Sequence, residues 1–236
     1  MIQNNFRAEK SMFSPQEIYP PEYRFISRKY YIPDNTLKQV YPTRLFDILI
    51  SLAVFVCFAP FLLLIAVLIK ATSKGPVVFA QKRVGRNGID FVFYKFRTMY
   101  VNNNDKNFLT IGLKDSRITP IGNFLRRTKL DELPQLVNVL KNEMSIVGPR
   151  PEVRKFVNLY TPAQKLVLQQ KPGITDYASI EFVNESELLA KQRDPEAYYI
   201  KKIMPRKIML NSKYAHNKTL KNYFAIIFKT FFCVIG

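Results

Sequence analysis

The part of this chain best equipped for covalent chemistry is an adjacent acidic pair set among fixed positive charges. In FLRRTKLDELPQLVNVLKNEMSIVGPRP, residues 124–151, Asp131 and Glu132 lie between Arg126 and Arg127 upstream and Arg150 downstream. A carboxylate can attack phosphorus and form an acyl phosphate, which splits one difficult displacement into two. It does so only where the target's negative charge is neutralised, by Arg forks, Lys or a divalent cation. Mg2+ suits carboxylate and phosphate oxygens, and nothing in the chain suggests zinc. With Asp131 as a helix N-cap and Pro134 at the third helical position, the acid sits beside free N–H groups that also favour a phosphate. A plainer reading uses the same residues: a cap, a first-turn acid complementing the helix dipole, and a solvated basic face. Gly148-Pro149-Arg150-Pro151 is then only a stiff turn. On these residues alone both readings stay open.

The elements that must position this patch are legible nearby. Leu133, Leu136, Val137 and Leu140 fall at i, i+3, i+4 and i+7, the apolar stripe of an amphipathic helix starting at Asp131. Upstream, residues 76–81 (PVVFAQ) and 91–96 (FVFYKF) are rich in β-branched and aromatic side chains. Asn87-Gly88 between them supplies the positive φ angles of a tight turn, so a β-hairpin is expected.

From Leu45 to Ile69 the chain is almost wholly apolar, longer than the roughly 20 residues that cross a bilayer. Asp47 lies near its start, and Pro60 should kink or break the helix by removing a backbone donor. Lys38 and Arg44 precede the segment; Lys70, Lys74, Lys82, Arg83 and Arg86 follow it. Basic flanks are held on the cytoplasmic side, so both ends prefer one face, and a Pro-broken re-entrant membrane helix is expected, with a single crossing as its rival. Residues 1–43 read as an irregular N-terminal arm without the features of a secretion signal. Residues 44–70 are expected to form the membrane element, and 71–236 a cytoplasmic domain, catalytic if the acidic pair is reactive. From Lys201 to Gly236 there are eight Lys or Arg and no acid. NYFAIIFKTFFCVIG within that stretch fits a helix on an anionic membrane surface or a core helix beside a basic face.

The formal charge of +18 over 236 residues favours polyanions: nucleic acid, anionic lipid or phosphorylated substrates. The charge and the 32 Phe and Tyr residues would suit a membrane-tethered nucleic-acid binder, but residues 45–69 and the acidic pair give that reading no support, and no nucleic acid is expected. If the pair is only a cap, the chain reads instead as a non-enzymatic membrane scaffold. Cys57 and Cys233 make neither a metal-ligand spacing nor a disulfide framework, and His216 stands in a basic stretch without partners.

PTRLFDILIS, KGPVVFAQKRVGRNG, YKFRTM, SRITPIGNFLRRTKLDELPQLVNVLKNEMSIVGPRPE and KPGIT occur in this order over residues 42 to about 180. In these strings the chain resembles the bacterial sugar transferases, the monotopic polyprenyl-phosphate phosphoglycosyl transferases, in their compact form. The resemblance implies an α+β, mainly helical fold: a re-entrant helix, a β-hairpin and amphipathic membrane-surface helices around a small catalytic domain. It implies that Asp131 attacks the β-phosphate of a UDP-sugar, releases UMP and holds the phosphosugar until undecaprenyl phosphate takes it. Glu132 assists, and Mg2+ bridges Asp131 and the diphosphate. Lys95, Arg126 and Arg150 match the family's phosphate-binding residues, and Arg97, two residues beyond Lys95 on the same strand face, is grouped with them. Arg44 matches a basic residue where the chain meets the membrane, and Pro60 the helix break, here in Ala59-Pro60. Asp176 and Tyr177 in KPGITDYASIEF depart from the commoner PGITGWAQV and could alter the sugar or uridine pocket. Implied partners are a UDP-sugar, undecaprenyl phosphate and the anionic lipids of the bacterial inner membrane, with a homodimer left open.

Overall fold

In the computed structural model, residues 43–101, 109, 111–112 and 115–235 are described; nearly all of the expected N-terminal arm lies outside them. Helix α1 spans Thr43–Thr72. It is long and apolar enough to cross a membrane, and only 11 % of its most apolar stretch is buried within the protein. Its two ends, unlike its middle, pack on the rest of the chain. Thr43, Asp47 and Ser51 are buried near the start and Ile65 and Ile69 near the end, whereas Val56 and Leu63 between them are 76 % and 67 % exposed. The expected break at Pro60 is not an interruption of secondary structure: α1 continues through it, at the cost of the one backbone hydrogen bond that Pro60 cannot donate.

Strands β1 (Val78–Val84) and β2 (Asp90–Phe96) form the expected antiparallel hairpin, with Val78 opposite Phe96 and Val84 opposite Asp90. Asn87 (φ 58°) and Gly88 (φ 77°) take the left-handed conformations their types suggest. Phe93 is buried in a core cluster, while Lys95 on the same face approaches the acidic pair.

Helix α2 (Pro120–Arg127), capped by the Thr119 side chain accepting from Gly122 N–H, leads into Lys129 at φ 57° and a 3-10 turn over Leu130–Glu132. Helix α3 (Gln135–Leu140) follows. This corrects the expectation that one helix begins at Asp131. The acid lies inside a separate tight turn, because the left-handed Lys129 redirects the chain before α3 starts. The stripe is corrected too: Leu136 is buried, but so are Gln135, Asn138 and Val139. Helix α3 has β2 on one side and α1 on another, and the Asn138 amide stitches it to β2 by donating to Val92 O and accepting from Tyr94 N–H.

Strand β3 (Ser145–Val147) pairs in parallel with β4 (Gly173–Thr175). Beyond β3 the chain reaches Arg150 through Gly148, which lies so close to Gly173 that a Cβ on the latter would stand 2.1 Å from Gly148 N. Only glycine permits this approach. Short helices α4 (Arg154–Val157), α5 (Pro162–Lys165), α6 (Tyr177–Glu181), α7 (Glu185–Ala190) and α8 (Pro195–Tyr198) lead through a π turn to α9 (Met204–His216) and α10 (Leu220–Ile235). One core gathers Phe93, Val139, Met144, Tyr214, Tyr223 and Ile226; a second gathers Phe156, Val167, Leu189, Tyr199 and Ile208; a third joins Ile65 and Ile69 of α1 to Phe96 and Leu125. Helix α10 serves as a core helix on one face and exposes Phe228, Phe231 and Phe232 on another. Among the described residues the architecture is mainly helical with two small two-stranded sheets.

Candidate active site

The 3-10 turn directs Asp131 and Glu132 toward side chains from three other parts of the fold. Lys95 of β2 donates to Glu132 Oε1 at 2.9 Å and lies 3.7 Å from Asp131 Oδ2. Arg150 closes a two-pronged pair on Glu132, Nη1 to Oε2 at 2.9 Å and Nη2 to Oε1 at 2.5 Å, and also donates to Ile174 O. Arg126 projects from the last turn of α2, donates through Nε to Thr98 Oγ1 at 3.0 Å and contributes positive charge beside Asp131.

The neighbouring acids divide into two environments. Burial alone would raise Glu132, but Arg150 and Lys95 outweigh it and hold this carboxyl well below the usual range. Burial pushes Asp131 upward, Lys95 pulls against that, and the charge of Glu132 adds to the rise. Asp131 is 4 % exposed, and its Oδ1 is buried without a hydrogen-bond partner. Burial also lowers Lys95 and Arg126, whereas Glu132 overrides burial at Arg150 and raises it. Glu132 is therefore a clamped anion that organises two cations, and Asp131 keeps one oxygen uncommitted.

These groups line a cavity of about 760 Å³, together with Arg127, Lys129 and Asp176. Its lining also includes Ile50 and Val54 of α1 and Ile227, Phe231 and Val234 of α10. One cavity thus joins a cation-rich wall to apolar side chains of the long apolar helix.

Of the residues singled out in the sequence, the structure brings Lys95, Arg126, Asp131, Glu132 and Arg150 to one cavity, and Arg97, Arg44 and Pro60 lie elsewhere. Arg97 sits one residue past β2 and does not line the cavity. Its guanidinium donates to Ser73 O and Ser73 Oγ, each at 2.7 Å, to Ile69 O at 3.4 Å and to Pro76 O. It fastens the carbonyl end of α1 to the hairpin, because the strand ends at Phe96 and its alternation no longer aims the next residues. Arg44 donates to Val139 O and Leu140 O, tying the start of α1 to the end of α3. Pro60 lies mid-helix in α1.

A second network on the cavity wall has no counterpart in the motifs of the sequence. Glu152 accepts from Arg83 Nη1 at 3.3 Å, from Val153 N–H at 2.8 Å and from the Tyr199 hydroxyl. Its own carbonyl accepts from Val84 N–H. This holds the turn after Arg150 against β1. Asp176, in sequence only a departure from the commoner family string, accepts from Arg150 N–H at 3.0 Å and Ser179 N–H at 2.5 Å. Arg83 and Tyr199 lie too far from Glu152, and Arg150 too far from Asp176, for spacing to reveal those pairs, whereas Asp176 to Ser179 is ordinary helix N-cap spacing.

The family model described as bacterial sugar transferase matches residues 38–236. UDP-glucose:undecaprenyl-phosphate glucose-1-phosphate transferase of Klebsiella pneumoniae is 38 % identical over 207 residues, covering 84 % of this chain and 42 % of that protein. UDP-N-acetylgalactosamine-undecaprenyl-phosphate N-acetylgalactosaminephosphotransferase of Aeromonas hydrophila is 34 % identical, covering 72 % of this chain and 43 % of its own length. The chain spans less than half of each. Exopolysaccharide production protein ExoY of Rhizobium meliloti (strain 1021) is 31 % identical over 88 % of this chain and 93 % of its own.

Proposed function

The chain belongs to the bacterial sugar transferase family, and from that premise we propose that it moves a sugar-1-phosphate from a UDP-sugar to undecaprenyl phosphate, releasing UMP. The observation that carries this reading is the contrast within the acidic pair. Glu132 is held by two cations, while Asp131 presents an uncommitted carboxylate oxygen in the same cavity.

In the first step an Asp131 oxygen attacks the β-phosphorus, and the bond from that phosphorus to the oxygen bridging it to the α-phosphate breaks. That oxygen leaves with the electron pair as part of UMP. In the second step a phosphate oxygen of the polyprenyl phosphate attacks the same phosphorus and the Asp131 carboxylate departs, giving undecaprenyl-diphosphate-sugar. Lys95, Arg126 and Arg150 offset the diphosphate's charge, and Glu132 keeps Lys95 and Arg150 in place. The relatives' names, which specify UDP-sugars and undecaprenyl phosphate, support these substrates, as does the apolar lining from α1 and α10 for the lipid.

The donor set fits Mg2+. Asp131 offers a buried oxygen without a partner, and among the described residues no three His, Cys, Asp or Glu converge to make an all-protein metal cage. Mg2+ binds through one or two carboxylates plus substrate phosphates, so Asp131 would hold it, and it would neutralise charge on the diphosphate.

A re-entrant α1 at the cytoplasmic face of the inner membrane, with residues 71–236 as the catalytic domain, is supported by the packing of both helix ends on one body and by basic residues at both flanks. Exposed Phe228, Phe231 and Phe232 on α10 support contact with the lipid surface.

The test is incubation with a UDP-sugar labelled on the β-phosphorus, with Mg2+ and without lipid. Label should become attached to Asp131 with release of UMP, and adding undecaprenyl phosphate should discharge it. Full turnover by the Asp131→Asn enzyme would sink the proposal.

A further inference from the structure

Helices α6 and α9 pack against one another and contribute a further wall to the cavity. Met204, Lys207, Ile208 and Asn211 line it at i, i+3, i+4 and i+7 along one face of α9. Asn211 is 6 % exposed, and its Oδ1 is buried without a hydrogen-bond partner. On α6, the hydroxyl of Ser179 is likewise buried and unpartnered. Native folds satisfy nearly all their buried polar atoms, so two such groups on one cavity wall call for a ligand that bonds to them.

Asp176 connects this wall to the cation cluster. It is fully buried, and its carboxylate accepts from Ser179 N–H through one oxygen and from Arg150 N–H through the other. Arg150 in turn grips Glu132. Ser179 is therefore held at a fixed position relative to the groups assigned to the diphosphate. In a nucleotide sugar, the sugar is bonded directly to the transferred phosphate, while the ribose is one phosphate farther away. A hydroxyl and an amide each donate and accept, which matches the hydroxyl-bearing edge of a sugar ring.

We infer that Ser179 and Asn211 form a subsite for the hydroxyl groups of the transferred sugar and determine which sugar is accepted. This rests on the transferase reading above. A pocket that hydrogen-bonds a substrate hydroxyl rejects an analogue with that group missing or misplaced, because its own buried polar atoms stay unpaired.

The experiment compares the full chain with its Ser179→Ala and Asn211→Leu variants in detergent with Mg2+ and undecaprenyl phosphate. UMP release is measured from UDP-glucose, UDP-galactose and their N-acetylated counterparts, and inhibition by UDP is measured in parallel. For the sugar that the unaltered chain prefers, kcat/KM should fall by roughly tenfold or more. It should fall less for the others, so that selectivity narrows while inhibition by UDP is unchanged. Unchanged selectivity in active variants would overturn the subsite. An equal fall for every sugar with weaker UDP inhibition would also overturn it, by assigning the pair to the ribose. If the unaltered chain releases UMP from none of the sugars, the transferase reading fails instead. Ser179→Cys and Asn211→Asp, close in size to the originals, provide the same comparison if the apolar variants do not fold.

Discussion

Asp47 and Asp131 are both carboxylates almost wholly removed from solvent, 2 % and 4 % exposed, and they are treated in opposite ways. Asp47 Oδ1 accepts from Ser145 Oγ, Ile146 N–H and the Tyr223 hydroxyl, and Oδ2 accepts again from Ser145 Oγ. That set fastens α1 to β3 and α10. Asp131 has Lys95 at 3.7 Å from one oxygen and no partner on the other. A buried carboxylate with its lone pairs occupied is a structural clasp, while one left short of donors stores free energy that chemistry can use. Burial alone does not separate the two; the hydrogen-bond inventory does.

Exchanging each acid for its amide tests that difference most directly. Asp131→Asn should lower UMP release by roughly 10⁴-fold or more without lowering the unfolding temperature, since it removes an undersupplied charge. A melting curve paired with a turnover assay checks both halves, and a destabilised Asp131→Asn would break the comparison. Asp131→Ala in cells lacking the unaltered gene should likewise fail to restore glycan assembly, whereas a scaffold would still restore it.

Asp47→Ala should show the reverse. Three donors lose their acceptor, at a cost of about 2–4 kcal/mol, measurable as a lower unfolding midpoint, while turnover per folded molecule is largely retained. Glu132→Gln belongs between them: the pairs with Lys95 and Arg150 weaken, so stability falls by about 2–3 kcal/mol and turnover by roughly 10²-fold.

The pH dependence sharpens the contrast. Glu132 is held below its ordinary value of 4.5, so the folded state binds that proton less readily than the unfolded chain. Its stabilisation is full above 4.5 and is lost as pH falls toward the depressed value. Asp131 is raised above 3.8, so its contribution has the opposite sign: it favours the fold at low pH and is lost as pH rises through the raised value. Acid titrations of stability should therefore lose a step in Glu132→Gln and gain resistance to rising pH in Asp131→Asn. Turnover should fall on acidification at a pH above that of an ordinary aspartate, as the nucleophile protonates. The smallest catalytic effect is expected for Arg97→Ala, which should loosen α1 and lower stability while leaving KM for the UDP-sugar within about twofold. A large KM increase would return Arg97 to the phosphate site.

Local order was readable wherever neighbours in sequence are neighbours in space. Asn87-Gly88 between two β-branched and aromatic runs specified the hairpin, and the long apolar run specified α1. The LDEL acids with RR before them and GPRP after them marked the charged patch, because like residue types recur there at short range. The misplaced details, Asp131 as an N-cap and Arg97 as a phosphate ligand, both came from extending an ideal helix or strand past its end. A left-handed Lys129 and the end of β2 at Phe96 redirected the chain there.

The order of residue types along the chain was sufficient to set the hairpin and the long apolar helix and to gather acids and cations into candidates, since periodicity and turn chemistry act over a few residues. Only the folded arrangement decided which carboxylate is clamped and which is left uncommitted. That depends on donors brought from positions as distant as Lys95, Ser145 and Tyr223. How many hydrogen bonds a buried oxygen receives is a property of three-dimensional packing.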